Sequence, residues 1–243
     1  MLDALQASAF GRPSMMRAAQ FETRMPLDVN DVDITRTGVR EASSRPTQMT
    51  YLNLKFRLLN ITSKIYEKLF GAEGTDYSTI IELDQEIRNE QKTWPSKYSA
   101  GGGAEPNELK ANDQVHWYIL HGHLHQMFLL LHRPYFHGSS ADNHPVAPDS
   151  RRQCIESATS ILEIYNILNT EPKYQPYRWY TNGLATFHAF HAVVVASVDL
   201  LSMHDPSQSP TWKAFQQVYD HFSKNSPRSS IATKTMPIIN FLR

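Results

Sequence analysis

The sequence contains one cysteine and carries no formal net charge, and these two scarcities exclude several classes of protein. Cys154 is the single cysteine among 243 residues, so the chain forms no intramolecular disulfide and no cysteine-only zinc site. Lys and Arg total 24, and Asp and Glu also total 24, which leaves no cationic excess for sequence-independent nucleic acid binding. We therefore expect a chain from a reducing compartment that makes no direct nucleic acid contact.

Long hydrophobic runs and a leader sequence are also missing. No segment has about 18–20 uninterrupted apolar residues, since even Gly183 to Met203 includes His188, His191 and Asp199. The first residues lack the basic patch and apolar run of a secretory signal. These observations predict a nuclear or cytosolic protein without a membrane span.

Proline divides the chain into segments with helical periodicity. The fourteen prolines fall mostly between segments in which apolar residues recur every three or four positions. The predicted helices are Tyr51 to Phe70, Thr79 to Trp94, Asp113 to His132, Ser150 to Leu168, Tyr180 to Met203, Ser209 to Phe222 and Ile231 to Arg243. Sustained strand alternation is missing. The sequence predicts an all-α fold, a single irregular multi-helix domain of about six or seven helices.

Local signals set three of the predicted helix starts. Thr79 and Ser150 each have Glu or Gln three positions later, the pattern of a capping box. Ser209 precedes a proline, which suits an N-cap followed by the first helical position. The segment Tyr180 to Met203 has apolar residues almost all round, which predicts that it is the central buried helix.

Histidines crowd the third predicted helix and recur in the fifth. They are His116, His121, His123, His125, His132 and His137, followed by His188 and His191. On one helix His121 and His125 share a face while His123 points away, so these three do not converge on a metal. His188 and His191 are three positions apart and could share one. We keep two interpretations: core histidines with one hydrogen bond each, or a helical metalloenzyme or cofactor enzyme. No catalytic or metal site is predicted.

Cys154 and an acid-rich stretch are the remaining candidates for chemistry. Cys154 lies in the first turns of a predicted helix beside two arginines, which could lower the pKa of a reactive thiol; the alternative is a small buried residue. Asp28, Asp31 and Asp33 lack the spacing of a calcium loop, so a solvated or helix-capping run is expected.

Four short motifs occur in a fixed order along the chain. Residues 10–14 read FGRPS, residues 25–34 read MPLDVNDVDI, residues 130–135 read LLHRPY and residues 150–158 read SRRQCIESA. In this order and spacing they resemble the fungal-specific transcription factor domain, the middle homology region of binuclear zinc cluster regulators of the xylanolytic-activator type. The matching residues are Gly11, Arg12, Pro13, Pro26, Asp31, His132, Arg133, Pro134, Ser150, Arg151 and Cys154.

The resemblance implies a nuclear regulatory module that is not an enzyme. Such a module modulates transcription by RNA polymerase II through attached DNA-binding and activation segments. The family's regulators begin with six cysteines that bind two zinc ions, and none of these cysteines is present here. Zinc and DNA binding are therefore expected in a missing N-terminal part, and no cofactor is expected in this chain.

The resemblance also implies an organisation and a set of partners. Residues 1–243 are expected to be the C-terminal part of a regulatory domain truncated at its N-terminus, with Met1 an internal methionine. The expected segments are an irregular GRP-containing segment 1–48, a helical core 49–225 and a partial terminal helix 226–243. The expected partners are a small-molecule effector or a co-regulator protein, no membrane, and a second copy in a full-length homodimer.

The motif residues have a structural interpretation beside the regulatory one. Gly11 suits a turn with positive φ, Arg12 and Arg133 suit helix C-termini, Pro134 ends a helix and Ser150 caps one. The alternative is direct effector contact by Arg12 or Arg133. At the level of the whole chain, the hypotheses are a module with an apolar, aromatic-rich cavity for a small molecule or partner helix, the metalloenzyme above, and a scaffold without a cavity.

Overall fold

The computed structural model describes residues 3, 6, 7, 15, 23–40, 46–70, 75–98, 109–136, 147–225 and 230–242. These residues contain seven helices of thirteen residues or more. They are α1 Thr50–Phe70, α2 Tyr77–Lys92, α3 Ala111–His132, α4 Pro148–Thr170, α5 Thr186–Leu201, α6 Pro210–Asn225 and α7 Ser230–Leu242. Two short strands, β1 Ile34–Thr35 and β2 Gly38–Val39, form an antiparallel hairpin. The all-α prediction is confirmed.

The chain divides into two compact units, Met1–Leu120 and His121–Arg243, with the boundary inside α3. This division follows contacts in space and does not test the predicted segments 1–48, 49–225 and 226–243, which stay a prediction. Gly71 and the glycines at 101–103 lie outside the described residues.

The first unit is built on the pairing of α1 with α2. Leu54, Leu58 and Ile65 form the buried stripe of α1, and Ile80 and Ile87 form that of α2. Their spacings of four and seven residues are those of the predicted amphipathic helices.

In the second unit, α4 packs against both α5 and α6, and α7 packs against α5 and α6. Proline ends α4 as predicted, because the chain turns into a 3₁₀ stretch at Pro172–Tyr177. A helical turn at Arg178–Tyr180 and a π-helical stretch at Thr181–Ala185 then lead into α5.

Two of the three predicted helix starts are wrong, and one is confirmed. The α2 helix begins at Tyr77, because the Asp76 carboxylate accepts hydrogen bonds from the Thr79 backbone N–H at 3.0 Å and from its hydroxyl at 2.6 Å. Thr79 is therefore a donor to the cap. The confirmed start is that of α6, where the Ser209 hydroxyl accepts from the Thr211 N–H at 3.2 Å.

The start of α4 corrects the role predicted for Ser150. The helix begins at Pro148, and the residue before it, Ala147, has no capping side chain. Proline at the first helical position needs no hydrogen bond for its nitrogen and has its φ already fixed. Ser150 thus lies inside the first turn and is buried, which frees its hydroxyl for a contact outside the helix.

Burial along α3 is more complete than the sequence predicts. From Tyr118 to His132 every residue except His125 is buried, whereas α5 keeps a half-buried face. The expectation that Tyr180 to Met203 is the central buried helix therefore holds for part of its circumference only. The histidines and glutamines of α3 suggest a partly exposed helix, but the structure buries most of them.

Among the described residues, one continuous helical stretch, Pro172–Leu201, is long and apolar enough to cross a membrane. Of its most apolar window, 61% is buried inside the protein. A buried core helix meets the same criterion, so the stretch is weak evidence for a span.

Candidate functional site

The two motifs LLHRPY and SRRQCIESA meet where α3 ends and α4 begins. His132 Nδ1 and Ser150 Oγ lie 2.9 Å apart, and both side chains are buried. The Cys154 thiol lies 3.8 Å from the Leu129 carbonyl oxygen, and Ala158 is fully buried one helical turn further on. These motif residues therefore join two helices of the second unit, which supports their structural interpretation.

Arg151 extends this motif junction to α5. Its Nη2 donates to Asp199 Oδ1 at 2.7 Å, and its guanidinium carbon lies 4.9 Å from the centroid of the Phe136 ring. The Asp199 side chain is only 6% exposed, against 31% for Arg151. The arginine thus neutralises a buried carboxylate while stacking its cation on an aromatic face.

Burial decides the chemistry of Cys154. It raises the pKa of the thiol to about 12, and the opposing effect of the Arg133 charge is smaller. A thiol with this pKa stays protonated at neutral pH, so it is a poor nucleophile and metal ligand. The interpretation as a small buried residue is supported, and the reactive thiol is not.

Arg133 and Pro134 occupy the positions predicted for a helix end. Helix α3 ends at His132, and Arg133–Tyr135 forms a 3₁₀ turn with Arg133 exposed. The charge of Arg133 thus lies beside the negative end of the α3 dipole. Direct effector contact by Arg133 stays a prediction. Gly11, Arg12 and Pro13 lie outside the described residues, so the roles predicted for them stay predictions too.

The second motif fastens the segment before α1 to the start of that helix. The Asp28 carboxylate accepts hydrogen bonds from the hydroxyls of Thr47 and Thr50. The Pro26 carbonyl accepts from the Asn53 side-chain amide at 3.1 Å. These bonds attach the acidic segment to the start of α1, about twenty residues further along the chain; since the donors to Asp28 are side-chain hydroxyls, its predicted use as a helix cap stays a prediction.

Asp31 and Asp33 stabilise the loop itself. The Asp31 N–H donates to Gln48 Oε1 at 3.3 Å, and the Asp33 carboxylate accepts from the Asn30 N–H at 3.1 Å. Motif residue Asp31 thus contributes its backbone to this contact. No sequence pattern indicates that Thr47, Thr50 and Gln48 bind the acidic segment, because they lie about twenty positions from it.

The histidines of α3 and α5 form a buried polar cluster in the second unit. Gln126 Nε2 lies 2.8 Å from His191 Nδ1, and the rings of His123 and His188 are 6.2 Å apart. Burial lowers the pKa of His191 to about 4 and that of His188 well below its ordinary value. These imidazoles are therefore neutral at physiological pH.

The cluster does not have the geometry of a metal centre. Among the residues that the structure describes, no group of three or more His, Cys, Asp and Glu side chains is placed to hold one ion. His188 and His191 face ring neighbours at 4.4 to 6.2 Å, which is the packing of core histidines. The metalloenzyme alternative is not favoured.

A polar cleft of about 300 Å³ opens in the first unit. It lies between the turn that precedes α1, the turn that follows Trp94 and the first turns of α3. Its lining residues are Asn30, Pro46, Thr47, Gln48, Tyr51, Lys97, Tyr98, Asn112, Asp113 and His116. The volume is at the lower end of the range that holds small ligands.

The wall of the polar cleft is an aromatic stack. The rings of Tyr51 and His116 are parallel within 5° and their centroids lie 3.9 Å apart. Burial raises the pKa of Tyr51 to about 12 and lowers the pKa of His116, so both rings are neutral at pH 7. On the other side Lys97 Nζ lies 2.9 Å from Asp113 Oδ1.

An apolar depression of about 220 Å³ lies in the second unit. Its lining residues are Ser197, Leu200, Leu201, Met203, Pro206, Trp212 and Phe215. Leu201 is 68% exposed. The enclosed, aromatic-rich cavity expected from the sequence stays a prediction, since this depression is open and its aromatic lining residues are Trp212 and Phe215. The polar cleft was missed because it assembles three distant segments.

Comparison with protein families finds a match for the first part of the chain. The family model of the fungal specific transcription factor domain matches residues 1–95. The resemblance recognised from the motifs is thereby confirmed for this part of the chain.

Curated relatives give the same result over a longer part of the chain. The pyrrolocin cluster transcription factor fsdR of Fungal sp. (strain NRRL 50135) is 24% identical over 174 residues, which are 70% of this chain and 22% of that protein. A transcriptional regulatory protein of Schizosaccharomyces pombe is 26% identical over 207 residues, 82% of this chain and 29% of that protein. The Zn(2)-C6 fungal-type transcription factor mpsB of Macrophomina phaseolina is 23% identical over 207 residues, which are 82% of this chain and 28% of that protein. No solved structure matches.

Residues 1–95 thus match a fungal transcription factor domain, and the longer alignments are to proteins named as transcription factors or transcriptional regulators. The chain spans 22% to 29% of the length of these relatives.

Proposed function

We propose that the chain serves a nuclear transcription factor as its regulatory part and modulates transcription by RNA polymerase II without catalysing a reaction. The observation that carries this proposal is the family match over residues 1–95 together with relatives that are all transcription factors or transcriptional regulators. The buried, neutral histidines offer no support for an enzyme.

Zinc and DNA binding belong to another part of the protein in this proposal. The relative mpsB is a Zn(2)-C6 factor, and this chain aligns with 28% of it. The single, buried Cys154 cannot contribute to a zinc cluster of that type. Translating the coding sequence upstream of Met1 tests this point, and we expect two C-x2-C-x6-C patterns there.

Regulation would act through a small-molecule effector or a co-regulator, and the full-length protein would be a homodimer. The polar cleft in the first unit supports the small-molecule route, because its lining offers hydrogen-bonding groups. The apolar depression in the second unit supports a partner helix, because Leu201, Trp212 and Phe215 suit an amphipathic face.

The experiment follows the full-length gene product in its own cells. A fluorescent tag reports its location, and transcript profiling compares the wild type with the gene deletion. We expect nuclear fluorescence and a reproducible set of changed RNA polymerase II transcripts. Exclusion from the nucleus, an unchanged profile, or substrate turnover that depends on His188 or His191 would contradict the proposal.

A further inference from the structure

The outward face of α5 carries no charged residue. Among the described residues of α5, the six that are not fully buried are Phe187, Phe190, His191, Val194, Val198 and Leu201. A helix at a protein surface ordinarily turns charged and polar residues to the solvent. An apolar face in that position is typical of a surface that another protein covers.

Five of these residues continue a regular spacing that begins at Leu184, in the π-helical stretch before α5. Steps of three and four positions alternate, which is the spacing of about 3.5 residues found along the seam between two paired helices. The residues of this α5 stripe are Leu184, Phe187, His191, Val194, Val198 and Leu201. The stripe therefore has the pattern of a face that receives a second helix.

An exposed tryptophan lies at the first end of the α5 stripe. Trp179 is 69% exposed, although its neighbour Tyr180 is buried. The π-helical stretch Thr181–Ala185 follows them, and its wide turns place residues five positions apart one above the other. Trp179 therefore lies about one turn before Leu184, with its indole in solvent.

The apolar depression lies at the other end of the α5 stripe. Leu201, the last residue of the stripe, is one of its lining residues, and Met203, Trp212 and Phe215 are others. Its volume of about 220 Å³ is below the range of about 300–1,000 Å³ that is typical of small-ligand pockets. The depression therefore suits a single large side chain, such as an indole, better than a metabolite.

These features complement one another when two copies of the chain lie antiparallel, with a two-fold axis between Ala192 and Val193. The pairs that join one copy to the other are then Leu184 with Leu201, Phe187 with Val198, and His191 with Val194. Trp179 of each copy lies beside the depression of the other, because a two-fold axis repeats every contact. A parallel pairing would instead bring the two Trp179 rings together and leave both depressions unfilled.

Charge and size set the expected strength of this pairing. The chain has 24 basic and 24 acidic residues, so two copies do not repel each other through their net charge. From Trp179 to Leu201 the contact is about 33 Å long, since a helix rises about 1.5 Å per residue. A contact between two helices of this length is at the small end of specific interfaces, which predicts a Kd on the order of micromolar.

We propose that the α5 stripe is the interface of an antiparallel homodimer, in which Trp179 of each copy fills the apolar depression of the other. A second copy is the occupant that the structure favours, because the same chain supplies both the exposed ring and the depression that accepts it. This inference rests on the proposed regulatory function, whose homodimer it places at a defined surface.

Sedimentation velocity of the purified full chain tests the dimer. Over about 1–200 µM we expect the sedimentation coefficient to rise from that of a monomer to that of a dimer and then to stop rising. A two-fold interface is closed, so growth into larger assemblies would overturn the proposal. A chain that stays monomeric over the whole range would also overturn it and would leave the α5 stripe to a different protein.

Two exposed residues can be changed without disturbing the core. Trp179→Ser removes the ring, and Leu201→Lys places a charge in the lining of the depression at a position that is 68% exposed. Each is expected to raise the Kd at least about tenfold, because aromatic and apolar anchors dominate the energy of an interface. Ile81→Lys, on a 48% exposed residue of α2, is the matched control and should leave the Kd unchanged. Equal Kd values in Leu201→Lys and Ile81→Lys would overturn the assignment.

Cross-linking between introduced cysteines determines the direction of the two helices. Gly183→Cys and Ser202→Cys lie at opposite ends of the α5 stripe; a Cβ at Gly183 meets no atom within 4 Å, and Ser202 is exposed. Cys154 is buried and its pKa is raised to about 12, so it does not compete for a short bismaleimide.

We expect a cross-linked dimer from a mixture of the two cysteine variants and none from either variant alone. The reason is that like positions lie roughly 28 Å apart along antiparallel helices, whereas Gly183 lies opposite Ser202 of the second copy. Cross-linking of Gly183→Cys with itself would show a parallel pairing and would contradict the proposal.

The two proposals fail in different ways. If the gene product controls transcription but the chain is monomeric, the regulatory function stands and the α5 interface falls. If the chain dimerises through the α5 stripe but transcription is indifferent to the protein, the interface stands and the proposed function falls.

Discussion

A serine hydroxyl in the first turn of a helix has two uses, and Ser150 takes the less common one. Such a hydroxyl usually caps the backbone, but here Pro148 starts the helix and Ser150 Oγ lies 2.9 Å from His132 Nδ1 in a buried contact. A buried ring nitrogen that loses a partner retains its desolvation penalty.

We predict that Ser150→Ala lowers the free energy of unfolding by about 1–3 kcal/mol, because it removes a buried hydrogen bond to His132. Urea denaturation followed by circular dichroism measures the change. Ser202→Ala is the matched control, since this exposed hydroxyl bonds only its own helix at Val198, and it should stay within about 0.5 kcal/mol of wild type. Equal effects of the two substitutions would show that the His132 contact contributes nothing.

At the scale of elements, the three long helices α3, α4 and α5 are joined by motif side chains whose pairing the sequence does not reveal. Arg151 and Asp199 are 48 positions apart, yet their side chains lie at 2.7 Å. Local periodicity predicts that a helix exists and which face it buries, but it does not say which helices meet. The resemblance to a family singled out Arg151, but Asp199 is not one of its motif residues, so the sequence did not indicate this pair.

The first residue of a helix is also hard to predict from the sequence. Ser209 was predicted as the cap of α6 and caps it, whereas the nearby carboxylate of Asp205 caps the preceding 3₁₀ turn. Thr79 was predicted as the cap of α2, but Asp76 lies three residues earlier and offers a charged acceptor. Short capping patterns are common, so the competition between neighbouring candidates decides the boundary.

We predict that Arg151→Ala is strongly destabilising while Arg152→Ala is nearly neutral. Arg151→Ala leaves the 6% exposed Asp199 carboxylate without its cation, and we expect a loss of about 2–4 kcal/mol, reduced by the partial exposure of the arginine. Arg152 pairs with Asp149 on the surface, where the side chains are 69% and 78% exposed, so its loss should be below about 0.5 kcal/mol. Denaturant titrations of both variants give the comparison. Similar losses in the two would contradict the role assigned to the pair.

At the scale of the whole molecule, histidines largely withdrawn from water make stability depend on pH. Burial lowers the pKa of His125 and of His191 to about 4, below the ordinary value of 6.5. The unfolded chain therefore binds more protons than the folded chain between these pH values. The stabilisation is complete above about pH 6.5 and is lost as the pH falls towards about 4.

We predict that the free energy of unfolding falls between pH 7 and pH 4 by on the order of 2–3 kcal/mol for each of these two histidines. His191→Gln should flatten this dependence, and His204→Gln, on an exposed residue after α5, should not. Urea titrations at several pH values measure the slope. A stability that is constant from pH 7 to pH 4 would contradict the buried neutral state of the cluster.

The fold class followed from the helical periodicity and the regulatory role from the motifs, whereas the polar cleft could not be predicted. Its stack joins Tyr51 to His116, 65 positions apart, and its ion pair joins the turn after α2 to α3. Contacts of this kind depend on how helices pack, which a single sequence leaves open. The chain also spans only 22% to 29% of the length of these relatives.

The measurement that tests the regulatory role most directly separates promoter occupancy from transcript output in the full-length gene product. Leu58→Asp places a charge at a fully buried position of α1, and Asn60→Asp places the same residue on its exposed face. We predict that Leu58→Asp changes the output of a target gene several-fold at unchanged promoter occupancy, while Asn60→Asp changes neither. Unchanged output in both variants, or occupancy that falls in parallel with output, would contradict a regulatory domain separate from DNA binding.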